Sequence, residues 1–181
     1  MATSELPDQT AREAREHLRL DAAALFARCQ VEFYRVSGPG GQHRNKVSSG
    51  VRLTHGLTGL SVTATERRSQ HENRAVALSR MREAIALAVR RPPPALVVWP
   101  EGVLVRNGRL RVNERNPALP EVIALALDAL VEAGGRPAAA AKRLELTTSG
   151  LVRFLREHPQ AWRQANHLRE LRGMGPLKAP G

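Results

Sequence analysis

With one cysteine in 181 residues, Cys29, the chain can form no internal disulfide and no multi-cysteine zinc site. Aromatic residues make up only 3% of the chain, and lysine occurs only at Lys46, Lys142 and Lys178. No apolar run approaches the roughly 20 residues of a membrane span, so no membrane partner is expected. The N-terminus lacks the apolar core of a secretion signal, and Glu5, Asp8, Glu13 and Glu16 argue against an acid-poor organelle presequence. A cytoplasmic address is the expectation. His55 and His71 stand without the companions that a metal site needs, so neither metal nor cofactor is expected. Carboxylates are missing locally too, with none between Phe33 and Thr65.

Positive charge is abundant, and arginine supplies most of it. A formal net charge of +11 and a pI near 11.4 point to a nucleic-acid partner, and the planar arginine fork suits bidentate contacts to phosphate. A bias toward GC-rich codons, which also raises alanine, contributes to the same composition. The length suffices for one domain, or for one with a small second, around a real core.

The stretch from Ser37 to Lys46 reads Ser-Gly-Pro-Gly-Gly-Gln-His-Arg-Asn-Lys. Its glycines open backbone angles closed to other residues, Pro39 stiffens the loop, and Arg35, Arg44, Lys46 and Arg52 make the surroundings electropositive. The spacing is not the Gly-x-x-x-x-Gly-Lys-Ser/Thr of a nucleotide-phosphate loop. Ser37, Gly38, Gly40, Gly41, Gln42, Asn45 and Lys46, followed by Val51, Arg52 and Leu53 and then by Arg68, Ser69, Gln70 and Asn73, resemble the catalytic-domain signature of class I peptide chain release factors and related ribosome-rescue hydrolases. The likeness covers roughly Val31 to Val89.

The resemblance implies peptidyl-tRNA hydrolysis of the release-factor type. Catalysis would rest on Gly40, Gly41 and Gln42. The Gln42 backbone N–H would meet the developing oxyanion, its side chain would orient water, and the terminal adenosine of the tRNA would take part in proton transfer. RNA contacts fall to Ser37, Gly38, Pro39, His43, Arg44, Asn45, Lys46, Arg52, Arg68, Ser69 and Gln70. His43 could be a general base by its titration range, but no carboxylate or cysteine stands beside it in sequence, and an RNA-facing or packing role is expected. The implied partners are the ribosome, through large-subunit rRNA, and peptidyl-tRNA, with a glutamine methyltransferase acting on Gln42. The chain is expected to work as a monomer.

Along the chain, periodicity and turn residues predict α+β architecture. Thr10 to Leu20 reads as a loosely attached helix with the charge pairs Arg12–Glu16 and Glu16–Arg19, and Asp21 caps a short helix anchored by Leu25 and Phe26. A strand from Gln30 to Val36 leads into the glycine loop, and alternating Val51, Leu53 and His55, then Leu60, Val62 and Ala64, form a hairpin. Ser69 and Glu72 open a long helix through Leu78, Met81, Ile85 and Val89, which covers a small mixed sheet. Asn107-Gly108 marks a second hairpin, expected to complete a catalytic domain over residues 1–115.

From Asn116 the pattern is all-helical. Asn116 caps and Pro117 opens a helix that Gly134 and Gly135 end, Pro137 starts an alanine-rich helix, and Thr148 caps the next. A last helix runs from Pro159 to Arg172. The apolar spacing from Ala140 to Leu155 resembles a helix-turn-helix domain over residues 116–181, with Arg136, Lys142, Arg143, Arg153 and Arg156 as candidate nucleic-acid contacts.

The expected function is codon-independent peptidyl-tRNA hydrolysis on stalled ribosomes, since the residues ahead of Val31 are too few for a stop-codon-reading domain. The rivals are a non-catalytic RNA- or DNA-binding protein that uses the loop as an RNA clamp, and hydrolysis on separated large subunits.

Overall fold

The structure, a computed structural model, describes residues 6–35 and 49–178. Contacts divide the chain into two compact units, Met1–Ala88 and Val89–Gly181.

The first unit is built on a three-stranded sheet in the order β1 (Cys29–Tyr34), β2 (Gly50–His55), β3 (Ser61–Ala64). It is antiparallel throughout, where a mixed sheet was expected. A parallel pair needs a crossover of about a dozen residues or more, and residues 35–49 are numerous enough. Their two ends nevertheless meet in register at Tyr34 and Gly50, which makes the connection a long antiparallel one. β2 and β3 are joined by a tight turn closed by His55 N–H on the Leu60 carbonyl at 2.8 Å, with Gly59 at φ 66°.

On central β2, Val51, Leu53 and His55 are buried while Arg52 is exposed, the alternation of a half-buried strand. Helix α3 (Gln70–Ala88) covers the buried face through Ala77, Leu78, Met81 and Ile85. Asp21 accepts from Ala24 N–H at 2.8 Å and so caps α2 (Ala22–Ala27), as its sequence indicates. Leu25 of α2 is fully buried, and the Arg74 guanidinium lies 3.5 Å over the ring of Phe26.

The N-terminal segment is held more firmly than its polar composition suggests. Helix α1 (Asp8–Glu16) and the 3-10 turn His17–Arg19 bury Ala11, Ala14, His17 and Leu18. Small residues spaced three and four apart make a narrow apolar stripe, and that stripe meets α3. Arg12 pairs back to Asp8 at 2.9 Å.

In the second unit α4 (Leu119–Glu132) is the central helix, buried continuously from Glu121 to Leu130. It begins later than expected, because Asn116 turns its side chain onto Ala118 N–H at 2.8 Å and forms a turn ahead of the helix. Gly134 and Gly135, at φ 61° and 82°, end it. Asp128, buried inside α4, accepts from Arg90 Nη1 at 2.9 Å and from the Arg91 backbone N–H at 3.3 Å, which fastens the start of the unit to its core. Around α4 pack α5 (Pro137–Arg143), α6 (Thr148–Glu157) and α7 (Pro159–Glu170). Thr147, one residue before the expected cap, accepts from Gly150 N–H at 3.0 Å.

The second hairpin, β4 (Leu104–Arg106) and β5 (Arg109–Arg111), turns through Asn107 and Gly108, both at positive φ, as the Asn-Gly pair dictates. It does not complete the first sheet. Thr147 donates to the Gly108 carbonyl from its backbone N–H at 2.9 Å and from its hydroxyl at 3.1 Å, and β5 packs on α6. The division therefore falls after Ala88, and a cut at Arg115 would strip the hairpin from its helix.

Candidate functional site

Ser37, Gly38, Pro39, Gly40, Gly41, Gln42, His43, Arg44, Asn45 and Lys46 lie outside the described residues. What the structure provides is the frame to which that stretch is joined. At its base Tyr34 and Gly50 are partners in the sheet, and a Cβ on Gly50 would come within 2.9 Å of the Tyr34 ring. Only glycine lets the ring lie there. The Arg52 guanidinium stands 5.5 Å from the centre of the same ring and forms an ion pair with Glu32, its cross-strand partner, at 2.9 Å. Arg52, assigned from sequence to phosphate, thus has a carboxylate and an aromatic neighbour inside the sheet. A phosphate contact there must compete with Glu32.

Asn73 holds the other side of the frame. Fully buried in the first turns of α3, it donates from Nδ2 to the Ser49 carbonyl at 2.7 Å and to the Arg67 carbonyl at 2.8 Å, and accepts Arg67 N–H on Oδ1 at 2.9 Å. One amide therefore ties the chain just before β2 to the turn that enters α3. A side-chain amide can serve two carbonyls and one N–H at once, which no hydroxyl or carboxylate matches. Although Asn73 belongs to the resemblance, sequence reasoning gave it no role. The readable signal was a polar residue on the buried row Asn73, Ala77, Met81, Ile85.

The same turn is braced by Arg80, which reaches Glu66 at 2.5 Å and the Thr63 carbonyl at 2.5 Å. That contact and two backbone N–H bonds hold the Glu66 carboxyl below its ordinary range. Arg68, Ser69 and Gln70 are exposed at the head of α3, and Ser69 Oγ accepts from Glu72 N–H at a long 3.4 Å.

At the far end of β1 and β2 from the loop, His17 Nδ1 and His55 Nε2 are 2.9 Å apart, and His55 Nδ1 lies 2.8 Å from Thr58 Oγ1. Burial, then the neighbouring His17, pushes His55 down to about 4, while burial and the Arg28 charge lower His17 against Glu13 and Glu16. The folded chain keeps these rings neutral where the unfolded chain, with histidine near 6.5, takes up protons. Stability is therefore full above pH 6.5 and falls as the pH drops toward 4, by about 3 kcal/mol for His55. Urea midpoints from pH 7.5 to 4.5 check this: the advantage of wild type over His55→Gln should shrink across that window, and a constant difference would refute it.

In the second unit, Arg136, Lys142, Arg153 and Arg156 are exposed. Arg143 instead bonds the Ala95 carbonyl at 3.1 Å, the Pro94 carbonyl, and Glu132 at 3.3 Å, and so staples the proline segment to α4 and α5. Those partners occupy the groups that a phosphate would need. No helix among the described residues is long and apolar enough to cross a membrane.

A family model described as the RF-1 domain matches residues 25–93. Peptide chain release factor 2 of Paramagnetospirillum magneticum (strain ATCC 700264 / AMB-1) is 50% identical over 63 residues, which are 35% of this chain and 17% of that protein. The chain thus spans about 17% of the length of this curated relative. The match takes in both strands at the base of the loop, the Asn73 clamp and all of α3, and leaves α1 and nearly all of the second unit outside it. Residues 25–93, with the glycine-glycine-glutamine stretch between β1 and β2, are thus similar to the RF-1 domain and to part of a peptide chain release factor.

Proposed function

We propose that this protein hydrolyses the ester of peptidyl-tRNA on stalled ribosomes without reading the codon in the A site. The observation that carries the proposal is the family match over residues 25–93, which includes Gly40, Gly41 and Gln42. Ester hydrolysis needs a donor for the oxyanion and a placed water. In this reading the Gln42 N–H is the donor and its side chain places the water, while Gly40 and Gly41 keep the approach to the tRNA terminus open. Arg44, Lys46 and Arg68 hold RNA phosphates. The ribosome and peptidyl-tRNA are the partners, and Gln42 is the position a glutamine methyltransferase would modify.

Codon independence is the finer part of the proposal and rests on the sequence expectation alone. Single-turnover release of a labelled peptide, from ribosomes carrying truncated, stop-codon and sense-codon messages, tests it. At equal message length the rates on stop and sense codons should agree within about twofold, since a codon-reading contact of even 1.4 kcal/mol would separate them tenfold. A clear preference for stop codons rejects codon independence. Tight ribosome binding with no release on any message transfers the reading to an RNA clamp.

A further inference from the structure

We propose that one face of the β4–β5 hairpin is an RNA-binding surface on which Arg106, Arg109 and Arg111 grip backbone phosphates. The register pairs Leu104 with Arg111 and Arg106 with Arg109, so side-chain alternation puts Arg106, Arg109 and Arg111 on one face with Leu104. Val105 and Leu110 occupy the other, and Leu110 is buried where β5 packs on α6.

All three arginines are exposed, and none makes an ion pair or a side-chain hydrogen bond among the described residues. With Asn107 they line a cavity of about 410 Å³. No carboxylate lines it. The neighbouring groove of about 470 Å³, which Arg153 shares with Arg109 and Arg111, is also lined by Glu114 and Glu157, so an anion is better served on the hairpin face than along α6.

Two further features favour an anion on this face. Arg106 and Arg109 stand directly opposite each other, and like charges in that position destabilise a ribbon unless something neutralises them. The ribbon is also held rigid, although so short a hairpin is marginal alone. Gly108 is clamped to Thr147 from both backbone and hydroxyl, and a Cβ on Gly108 would come within 2.9 Å of Thr147 N. The arginines are presented by a fixed element, which lowers the ordering cost of binding.

Arg109 and Arg111 are about 7 Å apart along the strand, and Arg106 lies across from Arg109. Such a spaced row of planar forks fits a chain of repeated phosphates better than a single compact anion. The choice of RNA among polyanions rests on the release-type reading of residues 25–93. The grip itself does not.

The test is fluorescence anisotropy of the full chain with a fluorescein-labelled RNA stem-loop of about 20 base pairs, from 50 to 300 mM KCl. The triple variant Arg106→Gln/Arg109→Gln/Arg111→Gln should bind at least tenfold more weakly, and the slope of log affinity on log salt should fall by about 2. Arg12→Gln/Arg163→Gln/Lys178→Gln removes the same charge elsewhere and should change affinity less than about threefold. The corresponding Arg→Lys triple should keep the salt slope yet bind more weakly, because charge survives and the fork is lost. The Gln triple should melt at or above the wild-type temperature, since the opposed charges are gone. An equal loss in the control triple overturns the proposal. So does a larger effect of the hairpin triple on a DNA duplex of the same sequence, or an equal or larger one on vesicles containing phosphatidylglycerol. No ribosome or peptidyl-tRNA is present, so failure of the hydrolase reading would show in release assays and leave this result standing.

Discussion

Gln42→Ala should slow single-turnover peptide release by about 100-fold or more while ribosome affinity stays within a few-fold of wild type. In the proposed chemistry the Gln42 side chain acts on the water, and a displaced nucleophile costs rate without costing binding. Gly41→Ala should fall as far by another route, because a methyl group beside the reacting ester blocks its approach. The two variants also separate the readings of the loop. A clamp without chemistry predicts that the loss appears in the dissociation constant, whereas a catalytic loop predicts that it appears in the rate at saturating protein. If both variants release peptide at the wild-type rate, the hydrolytic assignment of Gly40, Gly41 and Gln42 is wrong.

Asn73→Ala should be the most destabilising single change in the first unit outside its apolar core. The substitution deletes three hydrogen bonds of 2.7, 2.8 and 2.9 Å and leaves Arg67 N–H and the Ser49 and Arg67 carbonyls without that partner. At about 1 kcal/mol each the loss is about 3 kcal/mol, which for a unit of this size lowers the melting temperature by about 10–20 °C. Asn73→Asp keeps the acceptor for Arg67 N–H but sets carboxylate oxygen against two carbonyls. It should be at least as damaging at pH 7, and partly relieved on acidification, when the protonated carboxyl can donate again. Release should also drop in both variants at temperatures where they remain folded, because Asn73 holds the carbonyl of Ser49, which directly precedes β2 and lies three positions after Lys46. Thermal melts followed by release assays decide it, and a melting point within about 2 °C of wild type would remove Asn73 from the frame.

Much was legible without coordinates wherever the cause acts over a few residues. Asn107-Gly108 adopts two successive positive φ angles because its residue types accept them, Asp21 caps α2, and Gly134 and Gly135 end α4. The apolar row of α3 and the alternation of β2 followed from periodicity, and the glycine-rich stretch pointed to the release-factor likeness that residues 25–93 show. Tertiary structure alone decided which distant group each polar side chain meets. His17 and His55 are 38 positions apart, Glu32 and Arg52 are 20, and Arg143 reaches back 48 and 49 to two carbonyls. A charge count cannot tell a free arginine from one already paired, so Arg52 and Arg143 looked available while Arg106, Arg109 and Arg111, with no partner among the described residues, carried no signal. The second hairpin was legible as a hairpin, but its place was not. Local turn chemistry makes the ribbon, whereas the burial of Leu110 and the bonds from Thr147 to Gly108 assign it to the helical unit.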